Sequence, residues 1–321
     1  MKLHTNTQDF TELIRLTATH FKIALEFVEK DYWITLILNR LSKSSHVNSV
    51  VFKGGTSLTK GYRLINRFSE DIDIALLNEK LTGNALKTKI RKIEKDITAD
   101  LIEIEEPGLT RKGSVYRKSL FQYPSNINSR LAINIQKRII VEINSFANPY
   151  PFVQQEITSF ITEFLTATNQ TEAIQKSGLQ HFSLNILDKH RTMLEKLVSL
   201  IRFSFSENPS GELANKIRHF YDLYYLANDS ECATYIQSED FQKDLVELLI
   251  RDQQEFDQPK EWQTKTVNDS PLVKNFPALW VNLRSIYQNE LTPLAFSEIP
   301  DEKEIEITFG KIMNRIIMFF T

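Results

Sequence analysis

The sequence predicts an α+β fold, with a small mixed β-sheet flanked by helices and then a mostly helical C-terminal domain. Two observations predict the sheet. Val50-Val51-Phe52 is a short apolar run that ends at Gly54-Gly55, and in Asp71-Ile72-Asp73-Ile74 polar and apolar residues alternate with the period of a strand. A third observation predicts the helical part, because apolar residues recur at helical spacing from about Ile186 onward.

The first domain is predicted over residues 1–185, and each of its elements follows from a local pattern. Helices are indicated by apolar residues three or four positions apart, and strands by short apolar or alternating runs. The predicted elements are helices up to Leu41, a strand at 50–52, a helix at 57–64, a strand at 71–77, a helix at 82–101, and strands near 114–123 and 139–146.

The second domain is predicted over residues 186–321 and is mostly helical. Its segments with an apolar stripe are residues 193–201, 217–226, 241–250, 277–288 and 307–320. The polar stretch from Thr166 to Gly178 has no such stripe and is predicted to be flexible.

The composition is that of a soluble globular protein, because 41% of the 321 residues are hydrophobic and 25% are charged. No apolar run reaches the roughly 18 residues of a membrane span, and the N-terminus lacks the apolar core of a signal peptide, so a cytoplasmic location without membrane contact is expected. The single cysteine, Cys232, excludes an internal disulfide and a cysteine-rich zinc site. The net charge of −2 gives no general attraction to nucleic acid.

Asp71 and Asp73 are predicted to hold a metal ion. Residues at positions i and i+2 of a strand point to the same face, so both carboxylates share one face while Ile72 and Ile74 share the other. Two like charges this close repel unless a divalent cation lies between them, and Mg²⁺ binds one or two carboxylates together with substrate phosphates. The alternative is a solvated strand face.

Gly54 and Gly55 lie between a strand and a helix, where the backbone can approach a phosphate closely. Ser57 could donate a hydrogen bond to the same phosphates. The alternative is an ordinary tight turn, and the spacing does not fit a Walker A loop because Lys53 precedes the glycines.

Glu142 is a third candidate metal ligand. It is a lone carboxylate inside the apolar run Ile139-Ile140-Val141-Glu142-Ile143, where burial is costly unless the charge is paired or bound to a metal. The alternatives are an exposed edge position or an ion pair with Lys137 or Arg138.

The motifs resemble those of a known family. Gly54-Gly55-Thr56-Ser57-Leu58-x-Lys60 and Arg67-Phe68-Ser69-Glu70-Asp71-Ile72-Asp73 resemble the AbiEii/AbiGii-type nucleotidyltransferase toxins of the DNA polymerase β-like nucleotidyltransferase superfamily, to which the MenT-type tRNA nucleotidyltransferase toxins are related. Three further stretches resemble the other family motifs: Glu29-Lys30-Asp31-Tyr32-Trp33, Arg191-Thr192-x-x-Glu195-Lys196-Leu197 and Arg218-His219-Phe220-Tyr221-Asp222-Leu223. Residues after about 230 match none of these motifs.

The resemblance implies roles for the residues of these motifs. Asp71 and Asp73 would bind Mg²⁺, with Lys196 and Asp222 from the helical domain completing the active site. A solvated helix lysine is the alternative for Lys196, and an i,i+4 ion pair with Arg218 is the alternative for Asp222. The residues assigned to the nucleotide are Lys53, Gly54, Gly55, Thr56, Ser57, Lys60 and Arg218.

A basic segment from Pro107 to Val141 contains no acidic residue. Tyr116, Phe121 and Tyr123 are interleaved with its cations, so the segment is predicted to contact a nucleic-acid backbone and stack a base, with a solvated face as the alternative. Its cations are Arg111, Lys112, Arg117, Lys118, Arg130, Lys137 and Arg138.

The function implied by the resemblance is that of a Mg²⁺-dependent toxin in a toxin–antitoxin or abortive phage infection system. It would transfer a nucleoside monophosphate from an NTP to RNA, with the tRNA 3′ end as the expected acceptor, and a cognate antitoxin protein would be its partner. Two alternatives stay open: the same chemistry on a protein or a small molecule such as an aminoglycoside, and a non-catalytic NTP-binding component of a defence system.

Overall fold

The structure is a computed structural model that describes residues 1–77, 81–125, 127 and 136–320. Contacts divide the chain into two compact units. The first unit comprises Met1–Arg63 and Phe68–Leu187, and the second comprises Leu64–Arg67 and Asp188–Thr321. The short segment Leu64–Arg67 therefore groups with the helical residues, although in sequence it lies between the glycine turn and the Asp71 strand.

The first unit contains a mixed sheet of eight strands within the described ranges. They are β1 Val50–Lys53, β2 Asp71–Leu76, β3 Ile102–Ile104, β4 Arg111–Lys112, β5 Tyr116–Gln122, β6 Arg138–Asn144, β7 Phe152–Ile157 and β8 Phe182–Leu187. Their order is β3-β5-β6-β2-β1-β8-β7, with β4 paired to β5. Because β2 pairs antiparallel with β1 and parallel with β6, the sheet is mixed, which confirms the predicted fold class.

Burial along β2 alternates as predicted. Ile72 and Ile74 are fully buried, whereas Asp71 and Asp73 are half-buried on the other face. The two aspartates therefore lie on the face of the sheet that the apolar core does not fill.

Six helices of the first unit are described, and one of them occupies a stretch that was predicted to be flexible. They are α1 Thr7–Phe21, α2 Leu25–Lys43, α3 Gly54–Lys60, α4 Gly83–Ile97, α5 Phe160–Ala167 and α6 Thr171–Ser177. α6 buries none of its residues, so it has no apolar stripe that a sequence could display. Gly178, with φ of 64°, ends it in the left-handed conformation.

Four strands of the described sheet, β3, β4, β7 and β8, were not predicted from the sequence. Most of β7 is polar, since it is an edge strand that pairs only with β8. The apolar run of β8 includes Ile186, which was predicted to begin the helical part, and the next helix begins at Lys189. A short apolar run does not by itself distinguish a buried strand from a helix.

Three consecutive charged residues at the start of α2, Glu29, Lys30 and Asp31, are buried. Nζ of Lys30 lies 2.6 Å from Oε1 of Glu70, the residue before β2. Glu29 accepts a hydrogen bond from the hydroxyl of Ser125 at 2.7 Å, and burial raises the pKa of Glu29 to about 7. Each buried charge thus has a partner in a different segment of the unit.

Asp31 joins the glycine-turn helix to α5. One carboxylate oxygen lies 2.5 Å from Nζ of Lys60, the last residue of α3, and the other accepts the backbone N–H of Phe160 at 2.9 Å. Lys60, which was assigned to the nucleotide by resemblance, is buried in this ion pair.

Seven helices form the described part of the second unit, as predicted for this half of the chain. They are α7 Lys189–Phe203, α8 Pro209–Ala214, α9 Ile217–Asn228, α10 Ser230–Ile236, α11 Glu239–Glu255, α12 Pro271–Leu291 and α13 Glu302–Phe320. Phe220, Phe276 and Phe309 pack ring against ring in its core, with centroids 4.5 to 5.9 Å apart. α12 is kinked at Asn275, near Pro277, whose ring cannot fit a regular helix. None of the helices in the described ranges of either unit is long and apolar enough to cross a membrane.

The buried Asp31–Lys60 pair gives a stability prediction. Asp31→Ala leaves the ammonium of Lys60 buried without its partner, so it should lower the free energy of unfolding by about 3–5 kcal/mol, measured by urea denaturation. Adding Lys60→Met removes the stranded charge and should restore most of that loss. Lys112→Ala, which removes more exposed ion pairs with Glu103 and Glu105 in the same unit, should cost much less, because water screens exposed charges. Equal losses for Asp31→Ala and Lys112→Ala would contradict the assignment.

Candidate active site

The glycine turn lies directly against the side chain of Asp73. Gly54 follows β1 with φ of +79°, a conformation that residues with a Cβ rarely adopt. A Cβ atom placed on Gly54 would lie 2.0 Å from Oδ2 of Asp73, so only glycine leaves room for the carboxylate. Gly55, the next residue, is half-buried in the first turn of α3. The turn and the Asp73 carboxylate therefore form one packed arrangement.

Strand register places four charged residues in one row. Lys53 is opposite Asp73 in the pairing of β1 with β2, and Asp73 is opposite Glu142 in the pairing of β2 with β6. Lys118 of β5 is in turn opposite Glu142. Opposite residues of neighbouring strands point to the same face, so two carboxylates lie side by side between two lysines. Asp71, two positions before Asp73, lies on the same face.

Glu142 is held by two residues of β5. Nζ of Lys118 lies 2.6 Å from Oε1, and the hydroxyl of Tyr116 donates a hydrogen bond to Oε2 at 2.7 Å. Burial, and then the Glu142 carboxylate, raise the pKa of Tyr116, so this hydroxyl keeps its proton at neutral pH. The alternatives of an edge position and of an ion pair with Lys137 or Arg138 are wrong, because β6 lies inside the sheet and the partner is Lys118.

A third metal ligand beside the two aspartates is not assembled in this conformation. No group of three His, Cys, Asp or Glu side chains in the part of the chain that the structure describes is arranged to hold a metal ion. Glu142, predicted to join Asp71 and Asp73, directs its oxygens to Lys118 and Tyr116. Two carboxylates on one strand face are nevertheless a donor set that fits Mg²⁺ when substrate phosphates supply further oxygens.

The polar side chains of α3 stabilise the turn. Thr56 donates its hydroxyl to the carbonyl oxygen of Asp71, and Ser57 donates its hydroxyl to the carbonyl oxygen of Gly54 at 2.8 Å. Both hydroxyls are buried, and each has a single hydrogen, which is used in these bonds. In this conformation Thr56 and Ser57 shape the loop, and neither is free to donate to a phosphate.

A buried carboxylate in the second unit binds two cations. Arg67 contacts both oxygens of Asp222 on α9, Nε to Oδ1 at 2.7 Å and Nη2 to Oδ2 at 2.8 Å, and Asp222 is fully buried. Lys196 on α7 lies 2.8 Å from the same Oδ2. Among the described residues Asp222 does not pair with Arg218, which is half-buried on the same helix.

The Asp222 cluster keeps an excess positive charge. Burial by itself would raise the pKa of Asp222, but Arg67 and Lys196 outweigh burial and hold that pKa well below its usual range. Asp222 therefore stays ionised and cannot act as a general base near neutral pH. Burial and then Lys196 hold the pKa of His219 well below its ordinary value, so His219 adds no charge. One carboxylate balances one of the two cations, which leaves a charge suited to a phosphate.

Arg67 is the site residue that sequence reasoning missed. It belongs to the motif that ends at Asp71 and Asp73, and that position is the only signal the sequence offers. Its pairing with Asp222 spans 155 positions of the chain, a separation that no local pattern reveals.

Four of the described cations in the basic segment from Pro107 to Val141 pair with acids from outside the segment. The pairs are Lys112 with Glu103 and Glu105, Arg117 with Glu94, Lys118 with Glu142, and Arg138 with Glu106. Phe121 and Tyr123, which were expected to stack bases, are buried. Arg130 lies outside the described residues. The prediction of a nucleic-acid surface on this segment stays a prediction, and among the described residues two of its cations, Arg111 and Lys137, form no ion pair with an acid.

A mixed sheet that packs a Gly-Gly turn against an Asp-x-Asp strand agrees with the class of enzyme that the motifs predicted, the nucleotidyltransferases. The chain belongs to the AbiEii family, because the family model described as "Nucleotidyl transferase AbiEii toxin, Type IV TA system" matches residues 36–303. The match confirms the resemblance of the motifs. It also makes the protein a nucleotidyltransferase toxin by family.

The chain also matches chains of solved structures. The chain is similar to MenT4, nucleotidyltransferase toxin Rv2826c from Mycobacterium tuberculosis H37Rv, with 17% sequence identity and a TM-score of 0.41. The alignment covers 95% of this chain and 98% of that chain. No curated protein matches the sequence.

Gly54→Ala should lower nucleotidyl transfer by roughly 100-fold, because the added methyl group displaces the Asp73 carboxylate. Gly108→Ala is the matched control, since Gly108 has φ of +86° and open space where its Cβ would lie. It carries the same backbone strain without the carboxylate contact, so its transfer rate per folded molecule should stay near that of the wild type. Equal losses in both variants would mean that the contact with Asp73 does not matter.

Arg67→Met should raise the KM for NTP by roughly 10-fold or more, because Asp222 then neutralises Lys196 completely and the cluster loses its excess charge. Asp222 keeps Lys196 as a partner, so the loss of stability should be smaller than the roughly 3–5 kcal/mol of a buried charge that is left unpaired. Arg67→Lys keeps the charge and loses the two-point contact, so it should recover part of both. Steady-state kinetics with urea denaturation tests this, and an unchanged KM in folded Arg67→Met protein would contradict it.

Proposed function

We propose that the protein is a Mg²⁺-dependent toxin that transfers a nucleoside monophosphate from an NTP to RNA, with the tRNA 3′ end as the expected acceptor. The observation that carries this proposal is the packing of Gly54 against Asp73, with Asp71 on the same strand face. A phosphate-binding loop requires a turn of this kind, and a nucleotide-bound metal requires carboxylates. The packing brings the turn and the carboxylates together.

Asp71 and Asp73 are proposed to hold Mg²⁺. Their shared strand face, and the absence of room for a side chain at Gly54, fit an ion that also contacts phosphate oxygens at the turn. The chemistry that the bound ion supplies is neutralisation of charge at the α-phosphate. Glu142 stays a third candidate ligand, and its carboxylate would have to exchange Lys118 or Tyr116 for the ion.

The proposed reaction is a direct nucleotidyl transfer. The oxygen of an acceptor hydroxyl forms a bond to the α-phosphorus of the NTP, and the bond from that phosphorus to the oxygen bridging the β-phosphate breaks. Pyrophosphate leaves with the bridging oxygen, and the hydroxyl proton passes to water. No covalent bond to the protein forms in this step.

The basic residues are proposed to bind the phosphates. Lys53 lies in the row beside Asp73, and Gly54 with Gly55 lets the backbone approach. Lys196 brings the excess positive charge of its cluster, with Asp222 and Arg67 fixing the position of its ammonium. Arg218 is a further candidate for the nucleotide, because it forms no ion pair within the described residues.

The biological setting proposed is a toxin–antitoxin or abortive phage infection system. The support is the family, whose description names a type IV system. A cognate antitoxin protein would then be the partner that restrains the enzyme.

Incubation of the purified protein with each labelled NTP, Mg²⁺ and total tRNA should label the RNA. Asp71→Asn and Asp73→Asn should each reduce labelling by at least about 100-fold, because each removes a metal-binding charge. Asp257→Asn, an exposed aspartate in the second unit, should label like the wild type and controls for the charge change. Removal of Mg²⁺ with EDTA should abolish labelling, and added Mg²⁺ should restore it.

Two outcomes of the same assay would overturn the proposal. Labelling of RNA by Asp71→Asn and Asp73→Asn protein at the wild-type rate would remove the assigned metal site. If label enters protein or small molecules of a cell extract and never RNA, the assignment of RNA as the acceptor is wrong, while the enzyme class stands.

A further inference from the structure

The outer face of α4 carries four exposed cations, Lys87, Arg91, Lys92 and Lys95. Lys87, Arg91 and Lys95 are four residues apart, so they form a line along one side of the helix about 12 Å long. In the described part of the chain none of the four forms an ion pair or a side-chain hydrogen bond. This line is a dense positive surface in a protein whose net charge is −2.

Both acidic residues of α4 have partners outside this line. Glu94 is buried and pairs with Arg117 of β5. Asp96 has an oxygen 3.4 Å from Nε2 of His46. In sequence these acids lie among the lysines, so the helix contains both signs of charge. In the fold, Glu94 points inward and Asp96 points toward the loop that contains His46.

The helix that presents the cations is firmly held. Its apolar stripe, Leu86, Ile90, Ile93 and Ile97, is buried, and its charged Glu94 is anchored to the sheet. A rigid helix presents its charges without the ordering cost that a flexible basic tail would have to meet on binding.

We propose that the outer face of α4 binds the phosphate backbone of the RNA acceptor, an inference that rests on the proposed function. A line of uncompensated cations with no apolar side chain among them matches a polyanion. Protein interfaces are depleted in lysine and contain an apolar centre, which this face lacks. A membrane-binding helix needs its apolar face for lipid, whereas the apolar face of α4 is in the core.

The position of α4 determines how long an RNA must be to contact α4 and reach the aspartates with its end. Arg117, which pairs with Glu94 of α4, is opposite Ile143 on β6, and Ile143 is opposite Ile74 on β2. Ile74 points away from the face that carries Asp73, so α4 covers the opposite face of the sheet. An RNA held on α4 has to pass around the sheet to present its end to the aspartates. A full-length tRNA spans this path, and a short oligonucleotide does not.

The binding test compares two matched double variants. Lys87→Ala with Lys95→Ala removes two exposed lysines eight positions apart on α4, and Lys303→Ala with Lys311→Ala removes two exposed lysines with the same spacing on α13. Affinity for tRNA is measured by fluorescence anisotropy, without NTP, between about 50 and 200 mM salt. The α4 variant should bind several-fold more weakly, and its slope of log affinity against log salt should fall by about 0.9 for each lost phosphate contact. The α13 variant should match the wild type.

The transfer test uses two acceptors. The α4 variant should lose kcat/KM several-fold with full-length tRNA, chiefly through KM, and keep the wild-type value with a short oligonucleotide that has the same 3′ sequence. A merely structural effect would lower kcat/KM equally with both acceptors. Thermal unfolding of both variants checks that they are folded.

The outcomes separate this proposal from the proposed function. If the wild type labels tRNA and the α4 and α13 variants bind and label it equally, the α4 surface is refuted and the enzyme assignment stands. If the wild type binds tRNA through α4 with the expected salt slope but transfers no nucleotide to it, the surface stands and the acceptor assignment fails. A loss of antitoxin binding by the α4 variant, with unchanged tRNA binding, would assign the face to a protein partner and overturn the proposal.

Discussion

The buried charges of α2 constrain the first unit more than any other interaction. A carboxylate or an ammonium group removed from water is tolerated only when it is paired and hydrogen-bonded. Lys30 finds its partner at the entrance of β2, and Asp31 finds its partners at the end of α3 and the start of α5. The same helix thus fixes the two segments that flank the glycine turn and the aspartate strand. Buried ion pairs of α2 therefore hold the glycine turn and the aspartate strand in place.

The arrangement of charged residues in each unit determines which ions it can attract. Two carboxylates lie beside each other in the strand row, next to a turn that accepts only glycine. In the second unit one carboxylate, Asp222, balances only part of the charge of Arg67 and Lys196. The first arrangement attracts a cation and the second attracts an anion.

Ion pairing also changes which surfaces are positive. In the segment with the most basic sequence, Lys112, Arg117 and Arg138 are paired to acids that come from α4, β3 and the following loop. α4 contains both signs of charge in its sequence, yet its two acids pair with Arg117 and His46, whereas Lys87, Arg91, Lys92 and Lys95 form no ion pair within the described residues. A run of like charges in a sequence shows only neighbours along the chain, whereas the electrostatic potential at a surface depends on neighbours in space.

The sequence by itself determined the fold class, the alternation of β2, the helical second half and the family, because these depend on local periodicity and on motif order. Pairing partners were decided only by the tertiary structure: Arg67 for Asp222, Lys118 for Glu142 and Asp31 for Lys60. Each joins residues far apart in the chain or on separate strands, and no local pattern encodes such a distance. β7 and α6 were missed for a related reason, since an edge strand and a helix without buried residues lack an apolar pattern. Periodicity reports which face is buried, and only the folded chain decides which charges meet.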